Sequence, residues 1–535
     1  MKYIWENKVR HDSEIKICEN LGWRSIQFVS EQKTNLNTMR VLIFILISFL
    51  CFDCEAQKRD FHWAFGQNVG IDFNTSVPTI DTTIIMMSME PSASICDENG
   101  NLLFYVGSPT TNQMLPQKYI VRNALDSIMP GGDSLAGHTS MTQGLIIVPD
   151  PGDSMKYYIF HITKPPLTIG DRLYYSIIDM SLNGGMGEVV SSNNLLNNNV
   201  WEKMHAVKAA NGKDWWLISM YQNTTSVFYK YKLDSAGVHY KGSQNYSTLL
   251  NGSGGGQMIF SENGNKLLYA GAVEISYLFD FDRCLGEFSN QVPLDTFTFG
   301  IDAGGRYGAS LSPSGRYAYL STSEGYIDSL WQFDTQASNV SASRQLIFTT
   351  QPLDDFTLGQ HMLGPDGKIY IANVYAGGLP SMPFDSLNTH LSVIQYPDST
   401  GTTCDFAPYS FSLNNNICLL GLPNMPNYNL GQLENVNCDS ILAASINDWD
   451  IQNKFTVYPN PSSKKLTIKW NSSNKDKTIS IELMSIEGKT IKKHVLENLD
   501  LETIIDISDV HSGMYILKFA NDSFILESHK IIINH

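Results

Sequence analysis

Two histidines carry the side chains best suited to proton transfer, His205 and His361, and each stands a few residues ahead of a glycine-marked turn. Gln143, Gln257 and Arg306 occupy comparable places. An imidazole can act as a general base near neutral pH, and an amide or guanidinium beside it could hold a polar ligand. A hydrolase or lyase needs two such groups to converge, which spacing alone does not establish; the same residue types also fill interiors as hydrogen-bonded structural groups. The other motifs point to turns and core. Asp97-Glu98-Asn99-Gly100-Asn101 opens like a calcium loop but lacks the distal glutamate, so turn chemistry explains it. Gly252-Ser253-Gly254-Gly255-Gly256 lacks the lysine and hydroxyl of a phosphate loop. Trp215-Trp216 could stack on a sugar, yet neighbours on a strand face opposite ways, so at least one is expected in the core. Gly137-His138-Thr139-Ser140 does not have the pattern of a nucleophile elbow. No metal site and no cofactor is expected.

These residues must be positioned by a repeat. Ser312-Pro313-Ser314-Gly315-Arg316-Tyr317 turns the chain into a short run of strand formers, and looser copies centre on Gly100, Gly152, Gly212, Gly264 and Gly367. The steps between successive turn glycines are 52, 60, 52, 51 and 52 residues. In each copy an apolar run enters, Asp, Asn or Pro with Gly turns the chain where φ can be positive, and a β-rich run leaves, which is a hairpin. Further strand-like runs follow, as at residues 277–281, 329–333 and 391–396. About four short strands per unit of about 50 residues describe one blade of a β-propeller, and a lone blade could not bury both faces. Division of residues 57–428 by the step predicts seven blades, with six or eight as alternatives; residues 61–65 and 70–73 at one end and 416–422 at the other supply the unit that lacks a visible turn.

Composition agrees with an exported β protein. Lys and Arg number 37 against 53 Asp and Glu, a net charge of −16, and charged residues are only 17% of the chain. With no basic block to meet phosphates, a nucleic-acid partner is not expected. Residues 41–52 form a twelve-residue, mostly apolar run behind Arg40, too short to span a bilayer and suited to a signal-peptide core. Small-residue preferences place cleavage between Ala56 and Gln57, leaving no transmembrane span in the mature chain. Residues 1–38 are polar and charged, unusual ahead of such a run, and are read as a mis-assigned or extended leader, with the signal peptide at 39–56. Five cysteines remain beyond it, Cys96, Cys284, Cys404, Cys418 and Cys438, in no C-x-x-C pair. At most two disulfides can form, the pairing is open, and Cys96 and Cys284 are expected as buried structural cysteines.

Residues 431–454 show no sustained period and read as a linker, whereas 455–535 alternate apolar residues with period two (Leu466, Ile468, Trp470; Ile479, Ile481, Leu483; Tyr515, Leu517, Phe519), predicting a small Ig-like sandwich. Within it, Val457-Tyr458-Pro459-Asn460-Pro461, Ser485-Ile486-Glu487-Gly488-Lys489, Ile507-Ser508 through Gly513-Met514-Tyr515-Ile516, and Lys530-Ile531-Ile532 occur in order. This tail resembles the type A sorting domain of type IX secretion cargo, with Ser485 where that family has Asp and Val510 where it has Leu. The body at 57–430 resembles the WD-repeat-like propellers that carry such tails, on Phe65-Gly66 with Asp72-Phe73-Asn74, Phe281-Asp282-Arg283-Cys284-Leu285-Gly286, Gly364-Pro365-Asp366-Gly367-Lys368-Ile369-Tyr370 and Gly421-Leu422-Pro423-Asn424. Met425 stands where an aromatic is usual. The resemblance implies export by a Sec-type signal, recognition of the tail by the type IX machinery, and removal of the tail as the protein is released or attached to the cell surface. The propeller would then bind a protein or glycan; the alternative is a secreted hydrolase or lyase on polysaccharide or peptide.

Overall fold

The computed structural model describes residues 57–109, 117–165, 170–222, 226–246, 255–271, 275–294, 305–323, 328–350, 356–375, 388–433, 438, 455–470, 479–485, 489–496, 502–520 and 525–535. The signal-peptide run, Ala56 and Gly488 lie outside them. Among the described residues the body is a succession of antiparallel sheets: three strands at 62–81, then four each at 92–136, 145–200, 204–246, 258–293, 305–349 and 356–412. Within every sheet each strand pairs with the next in sequence. Helix among the described residues is limited to three short 3₁₀ turns at 183–185, 341–343 and 401–404 and to Cys438.

Burial orders the strands from inside to outside. The first strands are buried throughout or nearly so, as in Ser92–Cys96, Leu145–Pro149 and Met204–Lys208, while fourth strands such as Gly237–Tyr246 and Glu287–Pro293 face water. From the second sheet to the seventh, neighbouring sheets meet through their first strands. Their faces interlock through aromatic side chains, with Phe228 of the fourth sheet 5.5 Å from Phe279 and 4.9 Å from Phe288 of the fifth. The ring closes where Trp63 and Phe73 of the first sheet set their rings 5.5 and 5.7 Å from Tyr370 of the seventh. This radial arrangement is a β-propeller.

The repeated turns have one geometry. Gly100, Gly212, Gly264, Gly315 and Gly367 all have positive φ, and each donates its N–H to the carbonyl three residues back. Gly152 departs from the expectation. Its φ is not positive, and its N–H is accepted by Asp150 Oδ1 instead of a carbonyl three residues back. A Cβ on Gly315 would meet only Ser261 Cβ at 3.6 Å, so space is available and the constraint is its φ of +72°. Gly315→Val should therefore lower unfolding free energy by about 1 to 3 kcal/mol, and Gly315→Asn by less, since asparagine visits that region. Urea unfolding of the two variants checks this, and equal losses would contradict it.

The tail at 455–535 builds two sheets around its own core. One joins Phe455–Tyr458, Lys465–Trp470 and Glu502–Asp506; the other joins Thr490–Leu496, Ile479–Ser485, Gly513–Ala520 and Ile525–Ile533 in that order. Leu466, Ile468, Ile481, Leu483, Leu517, Phe519 and Ile531 are buried together, and Phe455 stacks on Phe519 at 4.1 Å.

Candidate functional site

The axis of the ring is occupied by side chains. Gln143 precedes the first strand of the third sheet; it accepts the Met258 N–H at 2.6 Å and donates to the Met258 carbonyl at 2.9 Å. Gln257, at the start of the fifth sheet, accepts from the N–H groups of His361 at 2.7 Å and Ala309 at 3.0 Å, and donates to the His361 carbonyl at 2.9 Å. Gln360, in the seventh, donates to the Thr142 carbonyl and accepts the Leu422 N–H at 2.9 Å. Third sheet to fifth, fifth to seventh and seventh to third, the three amides make a closed triangle. A glutamine suits this role because its amide can meet both an N–H and a carbonyl of one backbone segment.

The two histidines stand on different sheets and share none of their described partners. His361 is fully buried, its Nδ1 3.1 Å from Ser310 Oγ and its Nε2 3.0 Å from Ser321 Oγ, and burial pushes its pKa down to about 3. His205 lies buried with its ring 5.9 Å from Phe260, and burial lowers its pKa to about 4. Both imidazoles are therefore neutral at physiological pH. Arg306 is buried on the first strand of the sixth sheet. Trp215 and Trp216 are both buried, the first against Tyr428 and the second donating its indole N–H to the Arg283 carbonyl at 2.8 Å. Asp97 Oδ1 accepts the N–H groups of Asn99 and Asn101, as the turn reading expects, and no group of three or more His, Cys, Asp or Glu among the described residues could hold a metal ion.

Sequence reasoning missed the polar groups at the end of the ring where the first strands begin. Glu90 Oε1 accepts the Ser140 hydroxyl at 3.2 Å, and Glu202 Oε2 accepts the Thr142 N–H at 3.3 Å. The Tyr307 hydroxyl lies in the field of both carboxylates. Burial pushes the partly buried Glu202 carboxyl up to about 7. The adjacent Lys203 is enclosed, its ammonium 2.6 Å from the Ala270 carbonyl and 4.0 Å from the Tyr269 ring centre, and burial draws it down to about 7. These residues just precede the repeated apolar runs, the one sequence signal that could have singled them out.

The raised Glu202 pKa has a pH signature. A carboxyl that binds its proton more tightly when folded favours the folded state fully below its unfolded value of 4.5 and loses that contribution as pH rises toward about 7. Glu202→Gln, which keeps an acceptor for Thr142, should leave the melting temperature unchanged near about pH 4.5 and raise it near about pH 8. Calorimetry at the two pH values measures the difference.

Two expectations are corrected where the chain leaves the last sheet. Cys284 is not a lone buried cysteine; it is bonded to Cys438, 154 residues away, while Cys96, Cys404 and Cys418 are buried thiols. Nor does the body end at residue 430, because Gly431 and Leu433 still bond to it: Arg283 donates to the Gly431 carbonyl, and the Leu433 N–H to the Ala210 carbonyl.

In the tail, Asn460 explains its motif. Its side chain donates to the Lys530 carbonyl at 2.7 Å and accepts the Ile532 N–H at 2.8 Å, pinning the final strand. Tyr515 is half-buried, with its hydroxyl donating to the His511 carbonyl at 2.8 Å, and Ser485 donates its N–H to the Lys489 carbonyl at 2.9 Å across the central turn. Residues 456–534 match the family model described as the secretion system C-terminal sorting domain. The tail is a type IX sorting domain. Such a domain addresses a chain to the cell surface or the outside. No curated protein matches the chain in sequence. Solved structures similar to it include the periplasmic gluconolactonase of Pseudomonas aeruginosa (10% identity, 75% of this chain and 98% of that one, TM-score 0.36). They also include the β-propeller domain of Cps50 (Swd1) from Myceliophteria thermophila (11%, 60% and 94%, TM-score 0.34) and TolB from Acinetobacter baumannii (15%, 59% and 65%, TM-score 0.29). Among the described residues no helix is long and apolar enough to cross a membrane.

Proposed function

We propose that the chain is an exported seven-bladed propeller, with residues 416–425 completing the first blade, delivered by the type IX machinery through an Ig-like tail and acting as a binding or adhesion module for a protein or glycan. Export begins in this reading with cleavage between Ala56 and Gln57. The observation that carries the binding role is the closed triangle of Gln143, Gln257 and Gln360: amides committed to backbone fill the axis, so a partner is met on the rim and loops of the ring. The second reading, an enzyme on polysaccharide or peptide, is favoured by one feature, the Glu202 carboxyl held near neutrality at the mouth, where a general acid or base would be useful.

Purified full-length protein assayed on a glycan array, and against chromogenic glycosides, lactones and peptides, separates the two. Retention on a glycan or protein without turnover supports the module. Turnover abolished by Glu202→Gln would replace it with the enzyme.

A further inference from the structure

Residues 416–425 hold a place that the first sheet leaves vacant. That sheet has three strands where the following six have four, and its first strand, His62–Phe65, donates contacts to the second sheet from the position a second strand takes elsewhere: the Ser94 hydroxyl bonds to the His62 carbonyl at 2.7 Å. The innermost position is filled from the other end of the chain. Ile417 bridges Gln67 antiparallel, and Pro423 bridges Ser92 in parallel. The Leu420 carbonyl accepts the Gln360 N–H at 2.9 Å, and the N–H groups of Gly421 and Asn424 reach the carbonyls of Met89 and Ser92 at 3.0 and 2.9 Å. The segment thus runs between the first strands of the seventh and second sheets. The fit is close: a Cβ on Gly421 would stand 1.8 Å from the Glu90 carbonyl oxygen.

Beyond this point the chain continues across the ring. Asn424 takes the Gln143 amide at 3.2 Å and donates to the Met204 carbonyl at 3.0 Å, joining the third and fourth sheets. The Tyr428 hydroxyl donates to the Ile147 carbonyl at 2.8 Å, and Asn427 donates to Glu262 of the fifth sheet at 2.8 Å. Arg283 then gathers the carbonyls of Lys208, Ala209 and Gly431, and its neighbour Cys284 is bonded to Cys438. Every bond along this route ties the segment to the propeller, and the last is covalent.

We propose that residues 416–433, with Cys438, form a closing strap, locked by the Cys284–Cys438 disulfide, so that the ring stays closed when the chain is cut anywhere between Cys438 and the sorting domain. The disulfide then sets how close to the propeller a releasing cut can fall. This rests on the proposed delivery only in supposing that the tail is shed, and the strap is tested without secretion.

The test uses the full chain, oxidised, and follows amide exchange by mass spectrometry in residues 417–433 and 62–72. Limited proteolysis that frees the tail should leave exchange in both stretches unchanged. Reduction of the folded protein with a phosphine should raise it at least about ten-fold in both, with the strands at 145–149 much less affected. Cys284→Ser with Cys438→Ser should reproduce the reduced state, and if that variant does not fold the reduced wild type supplies the comparison. Unchanged exchange on loss of the disulfide overturns the lock. A rise on tail loss with the disulfide intact overturns the strap. Failure of the tail to direct export would leave both exchange results standing.

Discussion

Gln257→Leu is expected to lower the unfolding free energy by about 3 to 6 kcal/mol, among the largest effects a single side chain in the ring can have. The amide is 5% exposed and serves two N–H groups and a carbonyl drawn from the sixth and seventh sheets. Leucine has similar volume, so little cavity forms; the loss comes from three buried backbone groups left without partners, each costing about 1 to 3 kcal/mol and partly relieved by relaxation. Gln336→Leu, on an exposed turn, should stay within about 0.5 kcal/mol. Urea unfolding measures both, and a loss below about 1 kcal/mol at Gln257 would show that the triangle is not holding the axis.

Leu517→Asp should unfold the tail outright. Leu517 is fully buried, paired with Leu483 on one side and His529 on the other, within a core of about a dozen side chains. A carboxylate there has no cation in the cluster to meet it, and an isolated buried charge costs more than a domain of this size has in reserve. Two-dimensional amide spectra should lose dispersion for the tail residues alone, leaving the propeller signals in place. Collapse of the whole chain instead would mean that the tail does not carry its own core.

The parts of this fold that could be read in advance are those set by local chemistry. A positive φ favours glycine, so the hairpins at Gly100, Gly212, Gly264, Gly315 and Gly367 announce themselves at a regular step. Gly152 shares the spacing but not the conformation, and there Asp150 Oδ1 accepts the turn N–H. Period-two alternation likewise exposed the tail strands, whose buried residues include Leu466, Ile468, Ile481, Leu483, Leu517 and Phe519.

What escaped the sequence is held by long-range single bonds. Gln143 and Gln257 stood out by their places ahead of the turns and Gln360 did not, but no local signal shows that Gln143 reaches Met258, Gln257 reaches His361 and Gln360 reaches Thr142, across separations of 115, 104 and 218 residues. Residues 416–422 read as part of the unit that lacks a visible turn, but the bonds beyond them are scattered bridges and side-chain contacts instead of a strand ladder, so the crossing of the ring and its tie to Cys284 left no period to read. His205 and His361 were singled out for chemistry their type permits, and burial leaves both neutral, with His361 bonded to two serines.

The central claim is that the last 80 or so residues are an address that works apart from the ring it follows. The direct measurement is localisation, in a host with type IX machinery, of two proteins: the chain lacking residues 455–535, and a neutral reporter carrying a signal peptide in front and residues 455–535 behind. The account predicts a folded propeller retained in the periplasm and a reporter found outside. Surface display of the deleted chain, or a reporter that stays in the periplasm beside normally exported full-length protein, would contradict it.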